Sequence, residues 1–121
     1  MSAGRRFPES VYSVGSEPDA RFSLANERTF LAWIRTALAL IAGGVALEVL
    51  GLDLHPTFRL CASVLLVVSG CATPVLAWVD WMRTERALRL SQPLSSSMLG
   101  PILTVAVAAT GALVLMAILI R

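Results

Sequence analysis

The sequence has no lysine, one histidine, two cysteines and only 15% charged residues, and each scarcity removes a class of protein. With His55 as the sole imidazole, no metal-ligand cluster can be assembled within one chain. Nor does a histidine stand near a serine or cysteine to serve a nucleophile, because His55 falls in a turn. Cys61 and Cys71 sit in one apolar run, about 15 Å apart along a helix axis. They cannot bridge within that helix and read as small packing residues. Gly43 and Gly44 lie inside an apolar run, so no glycine-rich phosphate loop is present. No enzymatic activity, metal, cofactor or nucleic-acid partner is expected.

What remains is apolar: 56% of the 121 residues are hydrophobic, too many for an ordinary soluble domain of this length. A membrane span needs about 20 helical residues, and three runs are long enough: about Phe30 to Leu52, Leu60 to Val79, and Pro101 to Ile120. The second and third carry no charge, and Pro101 suits a first helical position. The first carries Arg35 near one end and Glu48 near the other. After Val79 the pattern stays helical to about Leu90, with Asp80 and Arg83, and Glu85 and Arg89, spaced for ion pairs along a helix surface. "SQPLSSS" ends that extension, and "GLDLHPTF" is a tight turn across which Glu48 is expected to pair with Arg59. Residues 1–20 read as a flexible or surface-lying tail and 21–121 as an all-α, three-helix transmembrane domain. In that domain an amphipathic lead-in precedes the first span.

Charge asymmetry gives the orientation. All ten basic residues are arginine; eight flank the start of the first span or the connection between the second and third, and only Arg59 and Arg121 lie on the other side. The positive-inside bias predicts a cytoplasmic N-terminus and second connection, an outer C-terminus and a plasma (inner) membrane location. Trp33, Trp78 and Trp81 fit an inner aromatic belt.

Two patterns bear on function. Ala32, Thr36, Ala39, Gly43 and Ala46 form a small-residue stripe on the first helix, and Thr104, Ala108 and Ala112 form one on the third, so Ala39, Gly43, Ala46, Ala108 and Ala112 are candidate helix-packing positions. Arg21, Arg28 and Arg35 recur every seven residues, which leaves a drift of only about 20° per step. They make one file with charges about 10 Å apart, and a polar partner must face its deepest member. Three partners are open: lipid phosphates reached by snorkelling, a water-filled path between subunits, or an acid such as Glu27 of a neighbouring helix.

"LANERTFLAWIRTALALIAGGVALE", with "RTERALR" after the second span, resembles the YidH-like family of small three-helix bacterial inner-membrane proteins. "ANERTFLAW", with "LGP" opening the third span, is also similar to the membrane domain of the eukaryotic vacuolar transporter chaperone, which makes polyphosphate and passes it through a basic channel between three-helix units. That second resemblance places channel-entrance basic positions on Arg21 and Arg28, their acidic neighbour on Glu27, and further basic positions on Arg59 and near Arg83. It gives no synthetic activity, since the polymerase and phosphate-sensing domains have no counterpart here, and Arg35 has no clear basic counterpart in the chaperone. The expectation is a homo-oligomer, five subunits being one candidate number, with an arginine-lined path for phosphate or polyphosphate. The alternative is a non-catalytic accessory or assembly subunit of a larger membrane complex, its arginines binding anionic lipid.

Overall fold

The computed structural model describes residues 6–120. Among them are four helices and no strand: a single turn α1 (Glu9–Tyr12) and three long helices, α2 (Ala20–Leu50), α3 (Pro56–Arg89) and α4 (Leu99–Ile120). The three long helices are each long and apolar enough to cross a membrane. Most of their apolar side chains, including Leu38, Val45, Val64, Val68, Val105 and Leu119, point outward, as lipid-facing residues do and the core of a soluble protein does not.

Local chemistry sets the helix ends. Asp19 caps α2, its carboxylate accepting the Arg21 N–H at 2.9 Å. The lead-in and the first span are therefore one continuous helix, and the arginine file runs along it unbroken. Pro56 begins α3, where its missing N–H costs nothing. At the far end of α3, Ser91 turns left-handed (φ 52°) and the Gln92 N–H closes on the Ala87 carbonyl at 2.9 Å. Pro74 lies inside α3 and leaves the Gly70 carbonyl without its usual donor, yet the helix runs through it.

α3 is the shared neighbour of the other elements: α2, α4 and α1 all pack on it, and α2 and α4 do not pack on each other. Two close approaches fix the antiparallel α2–α3 pair. A Cβ on Gly44 would lie 2.7 Å from Val67 and 2.9 Å from the Ser63 carbonyl; one on Gly70 would lie 2.5 Å from Ile41 and 2.9 Å from the Ala37 carbonyl. On α4 the buried positions are Leu99, Leu103, Thr110 and Ala117, steps of four and seven that keep one seam against α3.

The stripes Ala39–Gly43–Ala46 and Ala108–Ala112 do not supply these interfaces, because all five residues are exposed. Intrachain packing instead uses Ala37, Leu40 and Gly44 on α2 with Ala62, Gly70, Thr73 and Ala77 among the buried positions of α3. Apart from Leu40, both sets are small. Periodicity alone does not tell a stripe that meets its own chain from one that meets something else.

Candidate functional site

The register of α2 on α3 gives each arginine a depth. The Gly44 and Gly70 approaches, with a bond from Asn26 Nδ2 to the Trp81 carbonyl (3.1 Å), bring Arg35 about level with Pro74 and Arg28 with Trp81. At the opposite end the His55 N–H donates to the Ala117 carbonyl at 3.1 Å. Counting back roughly 27 Å along both helices brings the start of α4 to about the level of Thr73. α2 and α3 therefore continue beyond α4 as a two-helix projection, roughly 24 Å long on α3. Arg35 sits at the root of the projection, Arg28 partway along it and Arg21 near its tip.

The file faces away from the rest of the chain. Arg28 is nine residues from buried Ala37, and Arg35 nine from buried Gly44, which is about half a turn in angle. Arg28, Arg35 and Arg83 are exposed and make no ion pair or side-chain hydrogen bond among the described residues; Glu27 is likewise exposed. Arg21, its side chain 85% exposed, pairs with its own capping residue Asp19 at 3.1 Å. That contact, through the Arg21 side chain and then its backbone N–H, holds the Asp19 carboxyl below its ordinary pKa.

At the turn between α2 and α3, Arg59 Nε lies 3.4 Å from Glu48 Oε2, as the sequence predicts, and Arg59 also donates to the Gly51 carbonyl at 3.2 Å. Neither ion pair anticipated along α3 forms: Asp80 and Arg83 make no contact of this kind among the described residues, and tertiary partners take both Glu85 and Arg89. Glu85, only 4% exposed, accepts from Ser23 Oγ (2.8 Å) and Asn26 Nδ2 (3.2 Å) of α2. Arg89, 7% exposed, turns to the N-terminal segment: Nε donates to the Val14 carbonyl (2.8 Å), Nη2 to the Tyr12 carbonyl (3.1 Å) and Nη1 to Glu17 Oε1 (2.7 Å).

Residues 6–19 thus form a strap across the tip of the projection, lying on the surface as one reading of the tail composition allows. Gly15 is required in it twice over, by a φ of +64° and by the Arg89 carbonyl, which a Cβ would strike. Val11 is buried, Phe7 stacks on Trp78, Trp78 on Trp81, and Tyr12 tilts against Trp81. Arg6 lies 4.3 Å over the Tyr12 ring and grips Glu17 with two bonds of 2.6 and 3.2 Å. Hydrogen bonds from Arg6 and then Arg89 hold the Glu17 carboxyl below the usual carboxylate range, while burial and then the Glu85 charge push the Tyr12 hydroxyl up. Beside these groups opens a cavity of about 250 Å³, lined by Arg6, Tyr12, Glu17, Pro18, Ala20, Ser23, Leu24 and Glu85. Sequence reasoning missed this cluster. The strap's partners on α3 lie more than 70 residues away, as in the 72-residue separation of Glu17 and Arg89, and no local spacing encodes that.

Among the described residues no three histidine, cysteine or acidic side chains gather as a metal site, and Cys61 and Cys71 are free and exposed.

Comparison with known proteins agrees with a membrane location. Residues 21–87, from the file through the extension of α3, match the family described as Domain of unknown function (DUF202). The chain is 45% identical over 85 residues to the inner membrane protein YidH of Escherichia coli (strain K12), covering 69% of this chain and 74% of that one. It is 47% identical over 79 residues to an uncharacterised protein of Mycobacterium tuberculosis (strain CDC 1551 / Oshkosh), covering 64% and 65%. No solved structure matches. A matched segment of more than half the chain, together with YidH at this identity and three membrane-length helices, makes the chain a member of the DUF202, YidH-like family of small multi-pass inner-membrane proteins.

Proposed function

We propose that the chain is one subunit of a homo-oligomer in which the outward face of α2 lines a path for anions. The supporting observation is the arginine file: Arg28 and Arg35 stand half a turn from the α3 contact, on a face that α4 does not cover, beside exposed Ala32, Ala39, Gly43 and Ala46. Small residues let a second copy of this face approach closely, and unpaired guanidinium groups favour anions as basic rings do in anion pores. Phosphate or polyphosphate is the favoured anion, because guanidinium grips phosphate through paired hydrogen bonds and because the Arg21, Glu27 and Arg28 motif is similar to the channel entrance of the vacuolar transporter chaperone. In this reading the file and Arg83 are on the cytoplasmic side, as the arginine bias requires. Reporters fused after Ser91 and at Arg121 are expected on opposite sides of the membrane; both on one side refutes the arrangement.

One observation favours the second reading, an accessory subunit that holds anionic lipid. α4 begins about level with Arg35, which brings Arg28 and Arg35 within reach of lipid phosphates. Oligomeric state separates the two. Native mass spectrometry from lipid nanodiscs is expected to give a closed oligomer of one stoichiometry, and a monomer alone would remove the path.

A further inference from the structure

We propose that Arg6 and Arg89 form a binding seat for a soluble phosphate compound, and that the carboxylate of Glu17 occupies the phosphate position until such a compound displaces it. The seat lies off the α2 file and is complete in one chain, so it stands independently of the path proposed above.

Glu17 Oε1 accepts from both arginines, at 2.6 Å from Arg6 Nη2 and 2.7 Å from Arg89 Nη1, while Oε2 accepts from Arg6 Nη1 at 3.2 Å. A guanidinium fork from Arg6 and a single donor from Arg89 converge on one carboxylate, and phosphate presents more acceptor oxygens and more charge to the same donors. The two sides of this contact differ in mobility. Arg89 is buried and aimed by its bonds to the Val14 and Tyr12 carbonyls, which do not depend on Glu17. Glu17 is 62% exposed and can swing into solvent, and the buried Arg89 charge it would leave behind needs a replacement anion. The neighbouring cavity of about 250 Å³ leaves room for the incoming group. Glu85 lines the same cavity, and its carboxylate confines an anion to the side lined by Arg6 and Glu17, where Arg89 meets Glu17.

Depth selects a soluble phosphate over a lipid headgroup. Arg89 lies roughly 24 Å beyond the start of α4 and about 15 Å beyond Val79, where the charge-free run of α3 ends. A headgroup layer extends only about 5 to 8 Å beyond the hydrocarbon core.

The test uses full-length protein in phosphatidylcholine nanodiscs, titrated with pyrophosphate by calorimetry at fixed ionic strength. Glu17→Gln, which removes the competing charge, is expected to bind pyrophosphate about tenfold more tightly than the wild type. A misfolded strap does not produce a gain of this kind that depends on the two named arginines. Adding Arg6→Gln or Arg89→Gln to Glu17→Gln is expected to abolish the gain, whereas adding Arg86→Gln, an exposed arginine whose side chain bonds among the described residues to the Ser10 carbonyl alone, is expected to keep it. Equal affinity in the wild type and Glu17→Gln overturns the proposal, as does a gain that survives loss of Arg6 and Arg89. If Glu17→Gln instead tightens binding only to phosphatidylglycerol vesicles, the seat belongs to a lipid and the soluble-ligand assignment fails.

Discussion

Arg28→Glu is expected to abolish or reverse anion selectivity in planar-bilayer recordings while the oligomer persists. The substitution exchanges a positive for a negative charge in every subunit. At about 8 Å and an effective dielectric of about 20, each unit of charge acts on a passing ion by about 2 kcal/mol, so reversing it shifts selectivity more than tenfold. Salt attenuates the effect, because the Debye length at physiological ionic strength is about the same distance. The oligomer is expected to survive, since Arg28 is exposed and bonds to nothing else among the described residues. Neutral Arg28→Gln separates the two readings of the file. In a path it lowers anion conductance; in a lipid contact it leaves any conductance unchanged and weakens binding to anionic vesicles. A wild-type oligomer silent to chloride and polyphosphate alike would count against a constitutive path.

Gly70→Val and Gly44→Val are expected to give the largest losses of stability. Each forces a side chain into a backbone: the Ala37 carbonyl lies 2.9 Å from a Cβ at residue 70 and the Ser63 carbonyl 2.9 Å from one at residue 44. Carbonyl oxygens cannot rotate away as a side-chain tip can, so the helices must part. Overpacking of this kind costs about 1–3 kcal/mol per site, and both contacts lie in the same α2–α3 interface. Gly43→Ala tests the other face of α2, for within the chain a Cβ there meets only Leu66 Cδ1, at 3.8 Å. Thermal unfolding in detergent micelles should separate Gly44 from its neighbour. If Gly44→Val melts with the wild type, the close helix approach is wrong; if Gly43→Ala is the destabilising change, another chain covers that face.

Much of this fold is legible because charge-free runs in lipid admit little but helices. Leu60–Val79 and Pro101–Ile120 fall within α3 and α4, and the extension expected to reach about Leu90 ends at Arg89. The Glu48 and Arg59 pair follows from a short turn, which leaves its flanking residues few places to go. Legibility stops where a side chain has two partners within reach. Glu85 and Arg89 have a favourable helical spacing, worth a few tenths of a kcal/mol in an isolated helix. Buried hydrogen bonds to Ser23, Asn26 and the strap outweigh it. The tail composition of proline, glycine and serine gives no period to read, and a tyrosine and a valine suffice to seat it once Trp81 and Arg89 are in place.

The aromatic stack under the strap also makes the molecule its own optical probe. Trp78 and Trp81 lie 5.0 Å apart under Phe7 and Tyr12, and Trp33 lines a small pocket beside Trp81. All three indoles of the chain are therefore gathered at the strap-bearing end, and none is near the turn between α2 and α3. Exciton coupling between two stacked indoles gives a near-ultraviolet dichroism signature that depends on their mutual angle, and the contact of the Phe7 and Tyr12 rings with them depends on the strap's position. Unlabelled protein in a cuvette thus reports events at this end of the membrane domain while remaining dark to those at the other.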